Sequence, residues 1–416
     1  MRDPRFAATA TTLADGRVLI AGGVANEGAA GVAAELYDPA SGGFVLTGGM
    51  LSGRAYHTAT RLEDGRVLIA GGLGKDGRPV RAAELYDPAS GQFVPTGNML
   101  QPRYDHTATR LPSGKVLLTG GNTTTAVANY LGTAELYDPA TGTFSPTGKV
   151  TRLYNAETDK FFYEGEMNAA RAKHTATMLA DGKVLIAGGA GVNEKTQASA
   201  EVYDPASGQF TVTGAMVAAR QDHRATLLQS GQVLISGGYD GEGHILASAE
   251  LYDPATGKFS LTTTAFATSG TAMSEGRREH TATMLADGQV LIAGGSGAHG
   301  AIATAELYNP ADGAFTCVGG VLEGPRGPCN RSMNDFRDYA SAAGLRDGKV
   351  LIAGGYNFRM SLARNPAAAR GAIGGASVPF TLIGTAEVYD PAAGTFTSTL
   401  TLLRARYGLP PEAAAR

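Results

Sequence analysis

The sequence predicts an all-β fold, a seven-bladed propeller of four-stranded antiparallel blades. Three observations predict it. A phrase Gly-(Arg/Lys/Gln)-Val-Leu-(Ile/Leu)-x-Gly-Gly recurs seven times, with double glycines at Gly22-Gly23, Gly71-Gly72, Gly120-Gly121, Gly188-Gly189, Gly237-Gly238, Gly294-Gly295 and Gly354-Gly355. A second phrase, Ala-Glu-(Leu/Val)-Tyr-(Asp/Asn)-Pro-Ala-x-Gly-x-Phe, follows each, first over residues 34–44 and last over 386–396. The motif valines, from Val18, Val67 and Val116 to Val350, are 49, 49, 68, 49, 57 and 60 residues apart, so a period of 49 is lengthened by insertions. A period in this range marks a solenoid or a propeller.

Each unit reads as four short strands, and the second unit shows them in order. The first covers residues 57–62, and Glu63-Asp64-Gly65 carries the Asp-Gly signature of a tight hairpin. The second, 67–70, is a continuous apolar run, as expected for a strand buried on both faces. Gly71-Gly72 ends it and frees the backbone to turn. The third, 83–86, is closed by Asp87-Pro88-Ala89-Ser90-Gly91, and the fourth runs from Phe93 to near Thr96-Gly97. The expected blades are 5–50, 54–99, 103–167, 171–216, 220–273, 277–333 and 337–403, in one domain with a tail at 404–416. Residues 153–167 align with 202–216, Tyr154 on Tyr203 and Phe161 on Phe210, so blade three is expected to carry a duplicated hairpin. Arg406-Tyr407 reads as the start of another unit; alternatively, the tail docks beside the first blade.

With these repeats the chain resembles the kelch-repeat family, whose units carry a double glycine closing strand two, a Tyr on strand three and an aromatic on strand four. Here Phe44, Phe93, Phe144, Phe210, Phe259, Phe315 and Phe396 stand where many kelch repeats carry Trp, and the chain has no Trp. The resemblance covers nearly the whole chain. It implies a propeller, and for most such propellers a non-catalytic binding role. Some bacterial kelch propellers are sugar-acid mutarotases, and galactose oxidase shares the propeller type with a copper centre and a Cys–Tyr cross-link.

Composition narrows the function classes. The 416 residues hold 35 Lys+Arg and 38 Asp+Glu, a net charge of −3, which argues against a dedicated nucleic-acid binder. No apolar run reaches the length of a membrane span, so no membrane insertion is expected. Met1-Arg2-Asp3-Pro4 leads straight into patterned sequence with no secretory signal, but a signal removed beforehand leaves the compartment open. Cys317 and Cys329 are the only thiols, enough for one local bridge and too few for a thiolate zinc site.

Strand parity places the loops after strands two and four at one end of the propeller, and the variable loops on a rigid scaffold are where sites are built. The approach to strand one reads Arg-x-x-His in five units: Arg54/His57, Arg103/His106, Arg171/His174, Arg220/His223 and Arg277/His280. Units one and seven keep Arg5 and Arg337 with alanine in place of His. The repeated imidazoles are either a metal-binding set or, as repetition favours, one structural hydrogen bond made in each blade. The position before the His differs from unit to unit: Ala7, Tyr56, Asp105, Lys173, Asp222, Glu279 and Tyr339. Apart from Ala7, these residues, with Arg54, Arg103, Arg171, Arg220, Arg277 and Arg337 and the loop residues Tyr239, Asp240, Tyr356, Asn357 and Arg359, are the expected binding set. If the protein is an enzyme, Asp105, Asp222, Glu279, Tyr56 and Tyr339 are the acid, base and positioning groups. The long insertions at 317–331 and 356–383, the latter with Arg364 and Arg370, lie on the same face.

No Walker loop, dinucleotide fingerprint, His-Glu-x-x-His or Cys-x-x-Cys occurs, and no cofactor is expected. The expectation is a monomeric binding scaffold that recognises a peptide, protein or glycan at the loop-rich face. The alternative is an enzyme on a small polar or anionic metabolite in the channel mouth, of the sugar-acid mutarotase kind or another isomerase or lyase.

Overall fold

The computed structural model describes residues 1–25, 28–125, 129–147, 152–155, 160–163, 166–262, 272–320, 329–330, 332–358 and 381–406. Seven four-stranded antiparallel sheets succeed one another, each with its strands side by side in chain order, and the fold is a seven-bladed β-propeller. In blade two, Thr58–Arg61 pairs with Val67–Ala70 across the Asp64-Gly65 turn; Val67–Ala70 pairs with Ala83–Asp87, and that strand with Gln92–Pro95. Val67–Ala70 is buried at every position, which is why it reads as an unbroken apolar run. The outermost strand needs only one inward side chain, Phe93, and leaves its neighbours exposed. The first strand starts one residue later than the sequence suggests, because His57 precedes the ladder.

The chain forms two compact units, Met1–Ala55 with Thr263–Arg416 and Tyr56–Thr262. The second holds blades two to five. Its core lies between consecutive blades: Leu68, Leu85 and Met99 meet Val116, Leu118 and Tyr137. The same layering recurs between blades three and four and between four and five. The first unit holds blades one, six and seven. There Val18, Ile20 and Tyr37 pack on Leu351, Ala353 and Val388, and Leu291 and Val318 pack on Val350 and Tyr389. In all seven blades the strand-three Tyr is buried and its ring lies 4.8–5.1 Å from the strand-four Phe. This tilted pair fills the layer and explains how the fold manages without Trp.

One hydrogen bond, from the second glycine of the pair to the carbonyl of the next anchoring arginine, recurs within both units. In the second unit the amide of Gly72 donates to the Arg103 carbonyl at 2.8 Å, and Gly121 to Arg171 and Gly189 to Arg220 at 2.9 Å. In the first unit Gly23 donates to Arg54, Gly295 to Arg337 and Gly355 to Arg5. The last of these seats blade seven on blade one with no strand exchanged, reinforced by Ser341 Oγ donating to the Ala8 carbonyl at 2.6 Å. The first glycine is sterically required at Gly71, Gly120, Gly188, Gly294 and Gly354. A Cβ on Gly188, whose φ is +65°, would lie 2.5 Å from the Arg220 carbonyl oxygen and 2.8 Å from the His223 ring.

The extra hairpin of blade three pairs Arg152–Asn155 with Lys160–Tyr163, and sets Tyr154 opposite Phe161 just as Tyr203 stands opposite Phe210. The expected start of another unit at Arg406-Tyr407 falls at the end of the described residues, with Tyr407 onward outside them. Thr399–Arg406 is a helix, and Leu402 packs beside Gly42 and the core under the first blade. Among the described residues no helix is long and apolar enough to cross a membrane. Cys317 and Cys329 are joined in a disulfide across a separation of twelve residues.

Candidate binding site

The residues before the strand-one histidine share one unusual backbone conformation. Ala7, Tyr56, Asp105, Lys173, Asp222, Glu279 and Tyr339 all have φ between 52° and 57°. The cause is local: the chain turns sharply from the anchored arginine into strand one, and only the left-handed region makes that turn in a single residue. The residue's amide then reaches the preceding blade. Lys173 N donates to the Asp105 carbonyl at 3.0 Å and Asp222 N to the Lys173 carbonyl at 3.1 Å; in the first unit Ala7 N donates to Tyr339. Glycine would adopt this conformation without strain, and the chain has 58 glycines, yet none of the seven positions is glycine.

In the second unit this run carries Tyr56, Asp105, Lys173 and Asp222 on successive blades. Asp222 is buried, and Lys173 Nζ lies 3.7 Å from its Oδ2. Burial, with Asp105 adding to it, pushes the phenol of the adjacent Tyr104 up to about 12. Tyr239, from the loop after the double glycine, is bridged through its backbone to buried Gln221. Asp240 turns outward to His244, whose Nδ1 lies 2.6 Å from its carboxylate in exposed surroundings.

In the first unit the same run carries Glu279 and Tyr339, and the structure adds partners that sequence reasoning missed. The residue after each anchoring arginine is bridged to the residue after the double glycine: Arg278 to Ser296, Asp338 to Tyr356 and Phe6 to Val24. Asp338 is 1 % exposed and Glu279 5 %. Burial first, then the neighbouring Glu279, holds the Asp338 carboxyl well above the usual carboxylate range; Arg278 and a hydrogen bond with Tyr356 pull the other way. Beside this pair stands an aromatic group. Phe6 meets Tyr356 edge-on at 4.8 Å, Tyr339 stacks on Tyr356 at 6.0 Å, and Phe358 stacks on Tyr356 at 5.4 Å. Of the expected set Tyr339, Tyr356 and Glu279 come together here. Asn357 follows Tyr356 in the same short strand, and Arg359, with Arg364 and Arg370, lies outside the described residues. The missed column was legible: Phe6, Ala55, Tyr104, Ala172, Gln221, Arg278 and Asp338 differ between units as much as the column after them.

The arginines are not where the sequence reading put them. Arg54, Arg103, Arg171, Arg220, Arg277 and Arg337 are fully buried rather than lining a mouth. Within its own blade each of Arg103, Arg171, Arg220, Arg277 and Arg337 pairs with the strand-three Glu of the repeat, Arg171 with Glu201 at 2.8 Å and Arg277 with Glu306 at 2.7 Å. The same guanidinium caps the first double-glycine carbonyl, as Arg171 does for Gly188 at 2.7 Å. These groups staple the approach loop to strands two and three and do not face a ligand.

The histidines are also interior. His57, His106, His174, His223 and His280 are at most 6 % exposed. Nε2 of His106, His174 and His223 lies 3.0–3.1 Å from a threonine hydroxyl of the preceding blade's first strand, Thr58, Thr107 and Thr175. Burial, then the adjacent arginine, lowers the pKa of these three well below the ordinary value, so they stay neutral. Among the described residues the groups that gather metal-ligand atoms are Asp240, Glu242 and His244, and Glu306 with the two cysteines, and none includes the five histidines.

Comparison with known proteins places this geometry in context. A family model described as the KLHDC2/KLHL20/DRC7 Kelch-repeats domain matches residues 56–295. Among solved structures the chain is similar to "Novel fungal alcohol oxidase with catalytic diversity among the AA5 family, in complex with copper", with 17 % identity, a TM-score of 0.60, and 85 % of this chain and 71 % of that one covered. It is also similar to "Structure of YjhT", with 16 % identity, a TM-score of 0.56, and 76 % and 97 % covered. No curated protein matches. At these identities the likeness shows the fold alone. Both sulfurs are joined to each other, and the imidazoles of His106, His174 and His223 lie against threonine hydroxyls.

Proposed function

The chain belongs to the kelch-repeat family, and from that premise we propose that it is a binding scaffold whose loop-rich face recognises a polar ligand, a glycan in preference to a peptide or protein. One observation carries the reading. Six of the seven left-handed positions bear a charged or phenolic side chain where glycine would be cheaper, and their chemistry changes from blade to blade on an unchanging backbone. A non-glycine residue held there costs on the order of 1 kcal/mol, and such strain persists where the side chain serves a purpose. Carboxylates accept sugar hydroxyls and phenol rings cover the apolar face of a pyranose, a combination that suits carbohydrate better than a long peptide. Glycan-array binding by the intact chain, lost in an Asp105→Gly/Asp222→Gly variant that keeps its fold, is the expected result. Equal binding by that variant overturns the placement.

A second reading has its own support. Two buried acid groups, Asp338 with its pKa raised by burial and Glu279 beside it, are the kind of environment in which a carboxyl serves as a general acid. In that reading the protein is an isomerase-type enzyme on a small polar metabolite. Turnover of a captured ligand that is abolished by Asp338→Asn, with binding retained, would favour it over the scaffold.

A further inference from the structure

Blades six and seven bring together a cluster whose parts are not used by the staples or the blade-to-blade bonds. Arg278 and Ser296 are antiparallel bridge partners, and so are Asp338 and Tyr356. Directly opposed residues of an antiparallel pair project to the same face, so Ser296 stands beside Arg278 as Tyr356 stands beside Asp338. Electrostatic interaction between Arg278, Glu279 and Asp338, and the hydrogen bond of Tyr356 to Asp338, tie the two pairs into one group. Within it the hydroxyl of Ser296, on a residue 0 % exposed, has no hydrogen-bond partner. A buried hydroxyl without a partner costs about 1–3 kcal/mol, so a native site that keeps one is built to receive a donor or acceptor from outside the chain.

We propose that Ser296, Glu279 and Asp338, with the Tyr339–Tyr356 ring pair, form a subsite for an uncharged polyhydroxyl ring, a neutral pyranose of the glycan. The inference rests on the glycan reading above and narrows it. Charge selects the class. Arg278 stands in the same group as Glu279 and Asp338, and burial disfavours the ionised form of Asp338, so no one sign of charge dominates the cluster and an uncharged ligand suits it better than an anion or an ammonium. Hydrogen bonding suits vicinal hydroxyls, which give and accept at once. The Ser296 hydroxyl does both, and the carboxyl groups of Asp338 and Glu279 offer further oxygens beside it. The half-buried Tyr339 and Tyr356 rings supply the apolar surface on which a pyranose face rests.

The test is saturation-transfer NMR on the full chain with three panels. They are the neutral hexoses glucose, galactose and mannose, the matching uronic acids, and the matching 2-amino sugars. Each is run against wild type, Ser296→Ala, Asp338→Asn and Lys173→Gly. Transfer to a neutral hexose, weakened about tenfold by Ser296→Ala and by Asp338→Asn, is the expected result. Asp338→Asn keeps the size and shape of the side chain, and near-UV circular dichroism verifies that the fold is retained. Preference for the uronic acids or amino sugars overturns the subsite and leaves the glycan reading intact. So does neutral binding that ignores both substitutions but fails in Lys173→Gly. Silence from all three panels overturns both.

Discussion

Arg171 and Glu201 form a 2.8 Å ion pair from which water is excluded, their side chains 0 % and 1 % exposed. Glu201 also accepts the amides of Asn168 and Ala169, so one carboxylate holds the approach loop, while the guanidinium caps the carbonyls of Gly188 and Ser199. Removing one partner strands a buried charge. Arg171→Met is expected to cost about 3–5 kcal/mol, read as a shift of the urea midpoint. Arg17→Ala, which breaks a 2.6 Å pair with Asp15 in which both side chains are more than a third exposed, is expected to cost less than about 1 kcal/mol. Comparable losses in the two would refute the assignment of the buried pair as a structural staple.

Two glycines, Gly231 in a hairpin turn and Gly188 in a double glycine, separate strain from collision. Gly231 has φ +85° and nothing within 4 Å of an added Cβ, whereas an added Cβ on Gly188 meets the Arg220 carbonyl and the His223 ring. Gly231→Ala therefore meets only the left-handed backbone penalty, about 1 kcal/mol. Gly188→Ala adds a contact with backbone that cannot yield, and a loss of at least about 3 kcal/mol is expected. Equal thermal midpoints for the two variants would show that the blade junction is softer than its geometry.

The fold was legible because the repeat is written in backbone chemistry. The Asp-Gly turns, the apolar second strand and the double glycine each force one local geometry, and seven copies leave one architecture. Val67–Ala70 was bounded correctly from residues alone. The arginines were not legible as staples, because nothing in Arg-x-x-His says that its partner is the Glu of a phrase about thirty residues later in the same blade. That regularity was the available signal: the Glu of Ala-Glu-(Leu/Val)-Tyr is as invariant across the units as the Arg. Asp338 is not legible from the column beside the histidine alone, because the bridge that sets it against Tyr356 joins residues eighteen apart through a hairpin.

The disulfide is expected to matter modestly. Cys317 and Cys329 close a short loop, which by chain entropy stabilises the fold by about 3 kcal/mol. Cys317→Ser/Cys329→Ser should lower the thermal midpoint by a few degrees in non-reducing buffer, and reducing agent should then have no further effect on the variant. A wild-type midpoint indifferent to reductant would contradict this.

Acid sensitivity follows from His106, His174 and His223. Their folded-state pKa values lie well below the ordinary 6.5, so the unfolded chain binds more protons as pH falls. Stability is then fully present above about 6.5 and lost as pH drops toward the folded values, at about 1.4 kcal/mol per pH unit for each histidine. Asp338 runs the other way. Its folded value is raised, so its contribution is present below the ordinary carboxylate value and lost as pH rises through the folded one. Three histidines outweigh one carboxyl, and the unfolding free energy is expected to fall between pH 6.5 and pH 5. His174→Asn should flatten that slope by at least a third. An unchanged slope would mean that the three imidazoles are not held neutral.

The left-handed run makes the sharpest demand, because it sets stability against binding. At Asp105, Lys173 and Asp222 the φ values are 52°, 56° and 57°, and glycine adopts them freely. Replacing these side chains by glycine relieves about 1 kcal/mol of backbone strain per site, offset in part by the greater unfolded-state entropy of glycine. At Asp222 the substitution also removes a buried acid whose ion-pair partner, Lys173 Nζ, is 3.7 Å away. The triple variant is therefore expected to melt at or above the wild-type temperature while losing ligand binding. A residue kept for structure would show the reverse, a lower midpoint with binding intact. Differential scanning calorimetry on the triple variant, paired with the glycan array, separates the two, and a midpoint several degrees below wild type would mean that these side chains are there to hold the blades rather than to meet a ligand.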